Sequence, residues 1–315
     1  MTAERAGPTG QQYELRHGDH SAVVVGLGAT LRAYSFDVRA VIDGFSAAEK
    51  PTGGRGQLLA PWPNRIRDGR YRWNDNDYQL EISEPKANNA IHGLLRKVMW
   101  SKRDISATHV VLGTTLQPST GYPFKLDVSV EYALTSSGLA VSIRARNLSA
   151  VTAPYGVGHH PYLAVGIGLA DDAYLTVPAH KWLRSDERGL PLATESVVGS
   201  DLDFREGRRI GPQRIDHAFV QLASDTSNPP VVRLSWADAN GVDVWLGEGV
   251  NVVQIYTGDT LDQVARRRRG VAIEPMSCPP DAFRSGDHLV ALAPDEEHLM
   301  RWGLHPWAAE PSMSL

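Results

Sequence analysis

Apolar residues occupy every second position along two neighbouring stretches of the chain, 126–134 and 139–145. A period of two is typical of β-strands that bury one face and expose the other. Two serines and Gly138 separate the stretches, and a short glycine-containing turn between two strands predicts an antiparallel hairpin. The pattern therefore predicts a sheet with one face toward solvent at this point of the chain.

Strand-like composition recurs from one end of the sequence to the other, whereas helical spacing is scarce. Further candidate strands lie at 23–31, 110–115, 231–236, 242–247, 252–257 and 289–292. Near the C-terminus, the stretch 296–302 predicts at most a short helical turn. Runs of strands without intervening helices favour a sandwich or barrel over a sheet in which strands and helices alternate.

The length of 315 residues by itself suggests two domains, but the rest of the sequence favours one. The 29 glycines and 20 prolines indicate many turns, and no linker or repeat divides the chain. A large β-sandwich can use roughly 200–250 residues or more as one unit. We therefore predict an all-β fold, a large antiparallel sandwich, as a single domain over residues 12–306. Residues 1–11 and 307–315 are predicted to be flexible ends.

Charge, cysteine content and hydropathy exclude several classes of protein. The net charge of −4 argues against nucleic-acid binding, which requires a basic surface. Cys278 is the single cysteine, so we expect neither an internal disulfide nor a cysteine zinc cluster, as in a reducing cytoplasm. No stretch approaches the ~18 apolar residues of a membrane span, and the polar N-terminus lacks a secretory signal. The sequence thus predicts a cytoplasmic protein without nucleic-acid or membrane partners.

Two early segments carry more polar chemistry than packing requires. Asn64 and Arg65 follow two prolines that flank a tryptophan, so a rigid loop presents an amide beside a guanidinium. This pair suits hydroxyl or carboxylate ligands, but a structural arginine–carboxylate pair fits as well. His92 lies between an apolar residue and Gly93, which is compatible with a site residue at a strand end or with a structural histidine.

The segment 155–162 holds two adjacent histidines, His159 and His160, before a proline and Tyr162. Adjacent residues of an extended chain point to opposite faces, so only one of the two imidazoles can face a given cavity. A metal site would need His92 and His160 to converge with a carboxylate, and the local spacing of a specific metal motif is missing. We therefore predict one site histidine in this segment and no bound metal.

Two carboxylates complete the set of candidates. Asp216 begins a predicted strand, where it is a cap, a surface ion-pair partner or a site residue. Glu274 follows three apolar residues and precedes Pro275, so it lies either at a strand end or partly buried with a raised pKa. A carboxylate with a raised pKa serves as a general base near neutral pH. Alternation places Glu274 on the face opposite to Ile273.

Three further features match no specific motif. The glycine string 53–56 lacks the Lys-Ser/Thr ending of a phosphate-binding loop. The arginine run 266–269 is either a solvated loop or a site for an anionic partner or substrate group. Cys278 has no paired histidine nearby in the sequence, which disfavours a thiol nucleophile.

Considered together, these segments resemble the aldose 1-epimerase family, also called galactose mutarotases. The matching strings are Pro63-Asn64-Arg65-Ile66, Ile91-His92-Gly93, His159-His160-Pro161-Tyr162, Asp216-His217-Ala218-Phe219, Gln254-Ile255-Tyr256-Thr257-Gly258 and Glu274-Pro275. The resemblance spans residues 12 to 304, and the strings occur in the family's order. Arg284 stands where an asparagine is expected, and Leu163 stands where phenylalanine is common.

The resemblance implies a fold, a reaction and a set of residue roles. The implied fold is a supersandwich, a large antiparallel β-sandwich with the sugar site on one concave face. The implied reaction interconverts the α and β anomers of a free aldohexose or related sugar without a cofactor or metal. Glu274 is implied as the general base, His160 as the general acid and His92 as a second catalytic histidine. The residues implied to contact sugar hydroxyls are Asn64, Arg65, Tyr162, Asp216 and Gln254.

Three other functions are compatible with the same residues: a mutarotase of a phosphorylated or sulfonated sugar, a non-catalytic carbohydrate-binding protein, and a metalloenzyme. Arg284 and the run 266–269 motivate the first, because cations bind anionic groups. The acid–base pair of Glu274 and His160 argues against the second, since binding alone requires no proton transfer. The residues do not distinguish which sugar is bound, or whether the protein is a monomer or a homodimer.

Overall fold

Among the residues that the structure describes, β-strands are the dominant secondary structure and helices are few, as the sequence predicts. The computed structural model describes residues 7–166, 168–223, 228–236 and 240–308. Within these ranges the helices are short: α1 spans Ala282–Ser285, and single 3₁₀ turns lie at Pro85–Ala87, Ala170–Asp172 and Val264–Arg266. None of the helices in these ranges has the length and apolar character needed to cross a membrane.

The strands are numbered in chain order. Those of the first half are β1 (Gln12–His17), β2 (His20–Val25), β3 (Thr30–Phe36), β4 (Arg39–Ala40), β5 (Leu58–Leu59), β6 (Arg65–Arg67), β7 (Arg70–Trp73), β8 (Asn76–Gln79), β9 (Asn89–Ile91), β10 (Ser101–Ile105), β11 (His109–Leu116), β12 (Leu126–Thr135) and β13 (Gly138–Asn147). Those of the second half are β14 (Ala153–Tyr155), β15 (Gly158–His159), β16 (Tyr162–Ala164), β17 (Tyr174–Thr176), β18 (Ala179–Ser185), β19 (Pro191–Ser196), β20 (Arg208–Arg209), β21 (Asp216–Leu222), β22 (Val231–Ser235), β23 (Gly241–Leu246), β24 (Val252–Tyr256), β25 (Gly270–Met276), β26 (Val290–Leu292) and β27 (Glu297–Trp307).

The larger sheet has nine antiparallel strands in the order β10-β11-β12-β13-β27-β23-β22-β17-β20. It contains the predicted hairpin of β12 and β13, in which Thr135 pairs with Gly138 and Leu126 pairs with Asn147. Every second residue of β12 from Leu126 to Leu134 is buried. The period of two in the sequence therefore corresponds to one face packed on the core.

The prediction of a short helical turn at 296–302 is wrong. Glu297–Trp307 forms β27, an eleven-residue strand that lies between β13 and β23. Trp302 points to the core and is fully buried. The alternation is weak in the sequence because polar His298 has the same parity as Trp302, whereas apolar Leu299 has the opposite parity. Pairing on both edges therefore determines the strand here more than the local pattern does.

The second large sheet has eight strands. Seven follow the order β19-β18-β21-β24-β25-β15-β5, and β16 pairs with β25. The central strand β25 is buried along its whole length. Val271 and Ile273 belong to the main apolar core, as does Leu163 on β16, while Glu274 faces the opposite side, as the alternation predicts.

The two large sheets enclose one continuous apolar core. The nine-stranded sheet contributes Ile143 and Trp302 to it, and the eight-stranded sheet contributes Ile255 and Ile273. The separate four-stranded sheet β1-β2-β3-β4 adds Leu31 to the same core. This architecture is the large antiparallel β-sandwich that the sequence predicts.

The packed part of the chain begins before residue 12 and extends past residue 306. Thr9 is fully buried, and its carbonyl oxygen accepts a hydrogen bond from the Leu27 N–H at 2.9 Å. At the other end, β27 continues to Trp307. The remainder of the predicted flexible ends, 1–6 and 309–315, lies outside the described residues.

Candidate active site

A cavity of about 460 Å³ lies on the face of the eight-stranded sheet that points away from the core. The predicted site residues that line it are Asn64, Arg65, His92, His160, Tyr162, Asp216 and Glu274. The eighth, Gln254, lies beside them and donates from Nε2 to Asp216 Oδ1 at 2.6 Å. The fold thus brings together residues that lie far apart in the sequence.

The register of the strands explains why these residues meet. Gln254 on β24 pairs with Glu274 on β25, and Asp216 at the start of β21 pairs with Tyr256 on β24. Residues two apart along a strand share a face, so Asp216 and Gln254 lie on the same side of the sheet. β16 pairs with β25 as well and brings Tyr162 to that face.

A buried histidine–carboxylate pair lies in the cavity wall. His160 Nε2 is 3.3 Å from Glu274 Oε1, and the two residues are 4% and 2% exposed. His159 points to the opposite side, where its Nε2 lies 3.1 Å from the Tyr132 hydroxyl and its ring packs beside Trp302. Only His160 of the two adjacent histidines therefore faces the cavity, as the extended backbone predicts.

Burial shifts the pKa values of the pair in opposite directions. Loss of solvent raises the pKa of Glu274 well above the usual carboxyl range, and the charge of Asp216 adds to the rise. Burial lowers the pKa of His160 to about 3, and the Arg96 cation contributes to the decrease. Both shifts favour the uncharged forms. A deprotonated Glu274 is consequently a stronger base, and a protonated His160 a stronger acid, than the free side chains.

The raised pKa of Glu274 predicts a pH-dependent effect on stability. A carboxyl group whose pKa is higher in the folded than in the unfolded state stabilises the fold below its unfolded pKa, and this contribution is lost as the pH rises through the folded pKa. Glutamine does not titrate, so the melting temperature of Glu274→Gln relative to wild type should rise steadily from about pH 4, the unfolded pKa, toward alkaline pH. A difference that stays constant in thermal unfolding scans across this range contradicts the raised pKa.

His92 and Asn64 hold each other through two hydrogen bonds. The His92 N–H donates to Asn64 O at 2.8 Å, and the Asn64 N–H donates to His92 Nδ1 at 3.2 Å. Because Nδ1 accepts, the neutral imidazole is assigned its hydrogen on Nε2. Burial lowers the pKa of His92, as does the charge of Arg96, which keeps this ring neutral. The ring centres of His92 and His160 lie 5.4 Å apart, so His92 offers an N–H donor beside the histidine–carboxylate pair.

Arg65 is both a cavity residue and one half of a structural ion pair. Its Nε and Nη2 each donate to a different carboxylate oxygen of Glu84 at 2.9 Å, which is bidentate geometry. Asn89 Nδ2 also donates to Glu84, at 3.0 Å. Arg65 therefore lines the cavity and also forms a structural arginine–carboxylate pair. Glu84 also lines the cavity, and sequence reasoning missed it because it carries no motif and only the pairing of β6 with β9 brings it there.

Two buried acceptor atoms at the cavity have no hydrogen-bond partner among the described residues. They are Gln254 Oε1 and Glu274 Oε2. The bond from Gln254 Nε2 to Asp216 fixes which end of the amide is the free acceptor. Because buried polar groups are normally paired, these two oxygens are available to accept hydrogen bonds from water or from a ligand in the cavity.

Tyr162 contributes its ring rather than its hydroxyl hydrogen to the site. The ring stacks on that of His160 with centres 4.9 Å apart and an interplanar angle of 15°. Its hydroxyl donates to Gly53 O at 2.9 Å. The contact with sugar hydroxyls that the resemblance implies for Tyr162 is therefore limited to the acceptor side of its oxygen.

The arginines that suggested an anionic substrate do not line this cavity. Arg266 pairs with Asp43 at 3.3 Å, and Arg268 pairs with Asp171 at 2.7 Å. Arg284 lines a separate surface cavity of about 870 Å³. None of these three side chains lines the candidate site, so they give no support to an anionic substrate there. A different cation, Arg96, lines it instead, and no motif in the sequence marks this residue.

Two loops that sequence reasoning left unassigned complete the wall. They are residues 52–54 and 260–263, and Thr52 Oγ1 donates to Gln263 Oε1 between them at 3.0 Å. Gly53 and Gly54 have φ values of 60° and 76°, in the left-handed region that favours glycine. The glycine string 53–56 was the one feature of the sequence that pointed to the first loop, although it matches no phosphate-binding motif.

The described residues contain no cluster suited to a metal ion. His92, His160 and Glu274 converge, but within the described ranges no group of three or more His, Cys, Asp or Glu side chains has metal-binding geometry. Instead, His160 and Glu274 form the histidine–carboxylate pair, and His92 lies beside it as an N–H donor.

Known proteins resemble this chain in sequence or in fold. The YihR protein of Escherichia coli (strain K12), which is uncharacterized, is 37% identical over 298 residues, 94% of each chain. A GalM/aldose epimerase homologue from C. elegans has a TM-score of 0.86 at 18% identity, covering 95% of this chain and 99% of that one. Galactose 1-epimerase from Lactobacillus acidophilus NCFM has a TM-score of 0.80 at 20% identity over 95% of each chain. The model of the aldose 1-epimerase family matches residues 11–304, and the chain belongs to that family.

Proposed function

We propose that the protein is a mutarotase that interconverts the α and β anomers of a free aldohexose or a related sugar. The observation that carries the proposal is the buried pair of His160 and Glu274, 3.3 Å apart in the cavity wall. Membership of the aldose 1-epimerase family supports an isomerase of this kind. The cavity volume of about 460 Å³ lies within the usual range of small-molecule sites.

Anomer exchange requires two coupled proton transfers. The Glu274 carboxylate takes the proton of the C1 hydroxyl while the His160 imidazolium gives a proton to the ring oxygen. The electron pair of the hydroxyl bond forms the C1 carbonyl, and the bond between C1 and the ring oxygen breaks. Rotation about C1–C2 presents the other carbonyl face, and the reverse transfers close the ring. Both side chains then return to their starting protonation states.

The surroundings of the pair support these transfers. Burial makes Glu274 a strong base once it is deprotonated and His160 a strong acid once it is protonated. A proton that moves from Glu274 to His160 across their 3.3 Å contact converts the uncharged pair into the reactive ionic pair without exchange with solvent. The charge of Arg65 favours the ionised form of Glu274.

The other cavity residues are suited to hold the sugar. His92 and Arg65 offer N–H donors toward charge that develops on oxygen. Asp216 and the free oxygen of Gln254 accept hydrogen bonds from hydroxyls, and a charged acceptor such as Asp216 makes the stronger bond. Which hydroxyls they contact decides which sugar is preferred.

Polarimetry on freshly dissolved neutral aldohexoses tests this proposal. We expect the optical rotation of at least one pure anomer to reach equilibrium faster, at a rate proportional to the protein concentration. Calorimetry on the same sugars is the control for binding. Binding without faster exchange would overturn the proposal in favour of a non-catalytic carbohydrate-binding protein.

A second candidate function, mutarotation of a phosphorylated or sulfonated sugar, is favoured by Arg96. This side chain lines the cavity, and within the described ranges it forms no ion pair. Its Nη2 donates to Ile91 O at 3.3 Å, and its Nε is buried without a partner. Burial lowers the pKa of Arg96, as expected for a buried cation without a carboxylate partner. An anionic group on the sugar would supply the missing counter-charge.

The variant Arg96→Gln separates the two candidates. A hydrogen bond to a charged group contributes about 1.5–3 kcal/mol, so kcat/KM for an anionic sugar should fall by about 10–100-fold. For the corresponding neutral sugar we expect a change of less than ~3-fold, since its hydroxyls make weaker bonds. Arg284→Gln, in the separate surface cavity, is the matched control. Equal effects of Arg96→Gln on both sugars contradict the second candidate.

A further inference from the structure

We propose that residues 52–57 form a cradle that fixes the imidazole of His160, and that Arg55 is the positioning residue of this cradle. The inference rests on the proposed function, because it gives His160 the role of general acid. It also assigns a purpose to the glycine string 53–56, which matches no ligand-binding motif.

The cradle holds the backbone of His160 at two points. The Gly56 N–H donates to His160 O at 2.8 Å, and the His160 N–H donates to Gln57 O at 3.0 Å. Gly54 lies directly against the imidazole, since a Cβ at this position would be 2.6 Å from Cδ2 of His160. The φ of Gly54 is +76°, so both conformation and space require glycine.

Arg55 supports the imidazole through Tyr162. Its guanidinium carbon lies 4.4 Å from the centre of the Tyr162 ring, and that ring is nearly parallel to His160 at 4.9 Å. The Tyr162 hydroxyl donates to Gly53 O at 2.9 Å, so the same segment anchors the far end of the ring. The resulting stack of Arg55, Tyr162 and His160 limits rotation of the imidazole away from Glu274.

Arg55 is itself held on all sides. It is 2% exposed, and its Nε and Nη2 donate to Asp43 O and Asp43 Oδ2 at 2.8 Å and 2.9 Å. Its Nη1 donates to Thr52 O at 3.3 Å. Arg266 binds the other carboxylate oxygen of Asp43 at 3.3 Å, so one member of the run 266–269 reinforces the cradle. A lysine keeps the charge but not the planar, multidentate geometry.

Arg55 also acts on His160 through its charge. The charged or titratable groups that face the imidazole are Glu274 on β25, Tyr162 on β16, His92 and Arg96 after β9, Arg55 in the cradle and the neighbouring His159. The two cations oppose protonation of the ring. Removal of the Arg55 charge should therefore raise the pKa of His160, whereas Arg55→Lys should leave it near its wild-type value.

The test compares Arg55→Met, Arg55→Lys and the control Arg32→Met, a half-buried arginine outside the cavity whose Nη1 donates to Phe45 O at 3.1 Å. Because small misplacements of a reacting group slow catalysis by up to about 100-fold, we expect kcat to fall about 10–100-fold in both Arg55 variants. KM should stay within ~3-fold, since Arg55 does not line the cavity. Nitrogen NMR titration of His160 should show a raised pKa in Arg55→Met alone.

A structural role would give a different result. The proposal is overturned if Arg55→Met only lowers the melting temperature, as Arg32→Met does, and leaves kcat and the pKa of His160 unchanged. If Arg55→Met does not fold, Arg55→Lys decides by the same loss of kcat at unchanged KM, and Gly54→Ala, in the cavity wall, should lower kcat as well. If wild type itself does not accelerate anomer exchange, the proposed function fails. The NMR titration then still tests the cradle, because it needs no turnover.

Discussion

Replacement of Glu274 by glutamine is expected to slow anomer exchange by about 10²–10⁴-fold, the usual contribution of one positioned proton-transfer group. Strand β25 is buried along its whole length. Because glutamine has nearly the same size and shape as glutamate, it fits this buried position and the fold should persist. The amide cannot accept the proton of the C1 hydroxyl. We therefore expect kcat to fall while KM changes little, as measured by exchange NMR on the preferred sugar.

The control for this substitution is Glu297→Gln. Glu297 lies on the exposed side of β27 and pairs with Arg144 at 2.8 Å, far from the proposed chemistry. Its loss should leave the rate unchanged, because exposed ion pairs contribute at most about 1 kcal/mol to stability. A Glu274→Gln protein that keeps sugar binding and more than about a third of the wild-type rate contradicts the role of Glu274, since such a group normally contributes far more.

Replacement of His160 by asparagine is expected to have an effect of similar size, about 10²–10⁴-fold on kcat. Asparagine is polar but does not titrate between pH 4 and 10, so it cannot deliver a proton to the ring oxygen. The matched control is His305→Asn, on the exposed face of β27. Wild-type rates in His160→Asn would show that another group protonates the ring oxygen.

The double variant tests whether the two residues act as one unit. His160 and Glu274 are 3.3 Å apart and serve opposite halves of the same proton exchange. Removal of either should disable the transfer, so the double variant should be no more than ~10-fold slower than the worse single variant. Losses that multiply in full would mean that the two side chains contribute independently.

The fold class was accessible from the sequence because the strands that carry it have a clean period of two. The hairpin of β12 and β13 and the alternation around Glu274 follow directly from which residues are apolar. The strand Glu297–Trp307 could not be predicted in this way, because its alternation is irregular and its two sheet neighbours, β13 and β23, lie far away in the sequence. Tertiary pairing overrides weak local patterns of this kind.

The site was predictable where a residue belonged to a recognisable string. His160, Glu274 and Asp216 were candidates from their sequence context, and they line one cavity. Alternation alone did not distinguish His159 from His160, because it says only that the two side chains point to opposite faces, and the choice of His160 came from the family resemblance. The pairing of β15 and β16 with β25 decides that His160 faces the cavity.

The residues that were missed act through geometry rather than through a motif. Arg96 and Glu84 each stand alone in the sequence, and only the folded chain brings them to the cavity. The arginine run 266–269 suggested an anionic ligand because a sequence shows a charged residue without showing which residue it pairs with in the fold. Arg268, for example, is neutralised by Asp171 and Asp259 at 2.7 Å and 2.9 Å.

The most direct test of the account is two-dimensional exchange NMR on a neutral aldohexose at anomeric equilibrium, with wild type and Glu274→Gln compared at equal concentration. If Glu274 is the base of a mutarotase, exchange cross-peaks between the α and β anomeric protons should grow with wild-type concentration and fall to the buffer level with the variant. Two results would contradict the proposed mechanism. One is cross-peaks at the buffer level with wild type on every sugar tested, neutral or anionic, and the other is equal cross-peaks with both proteins.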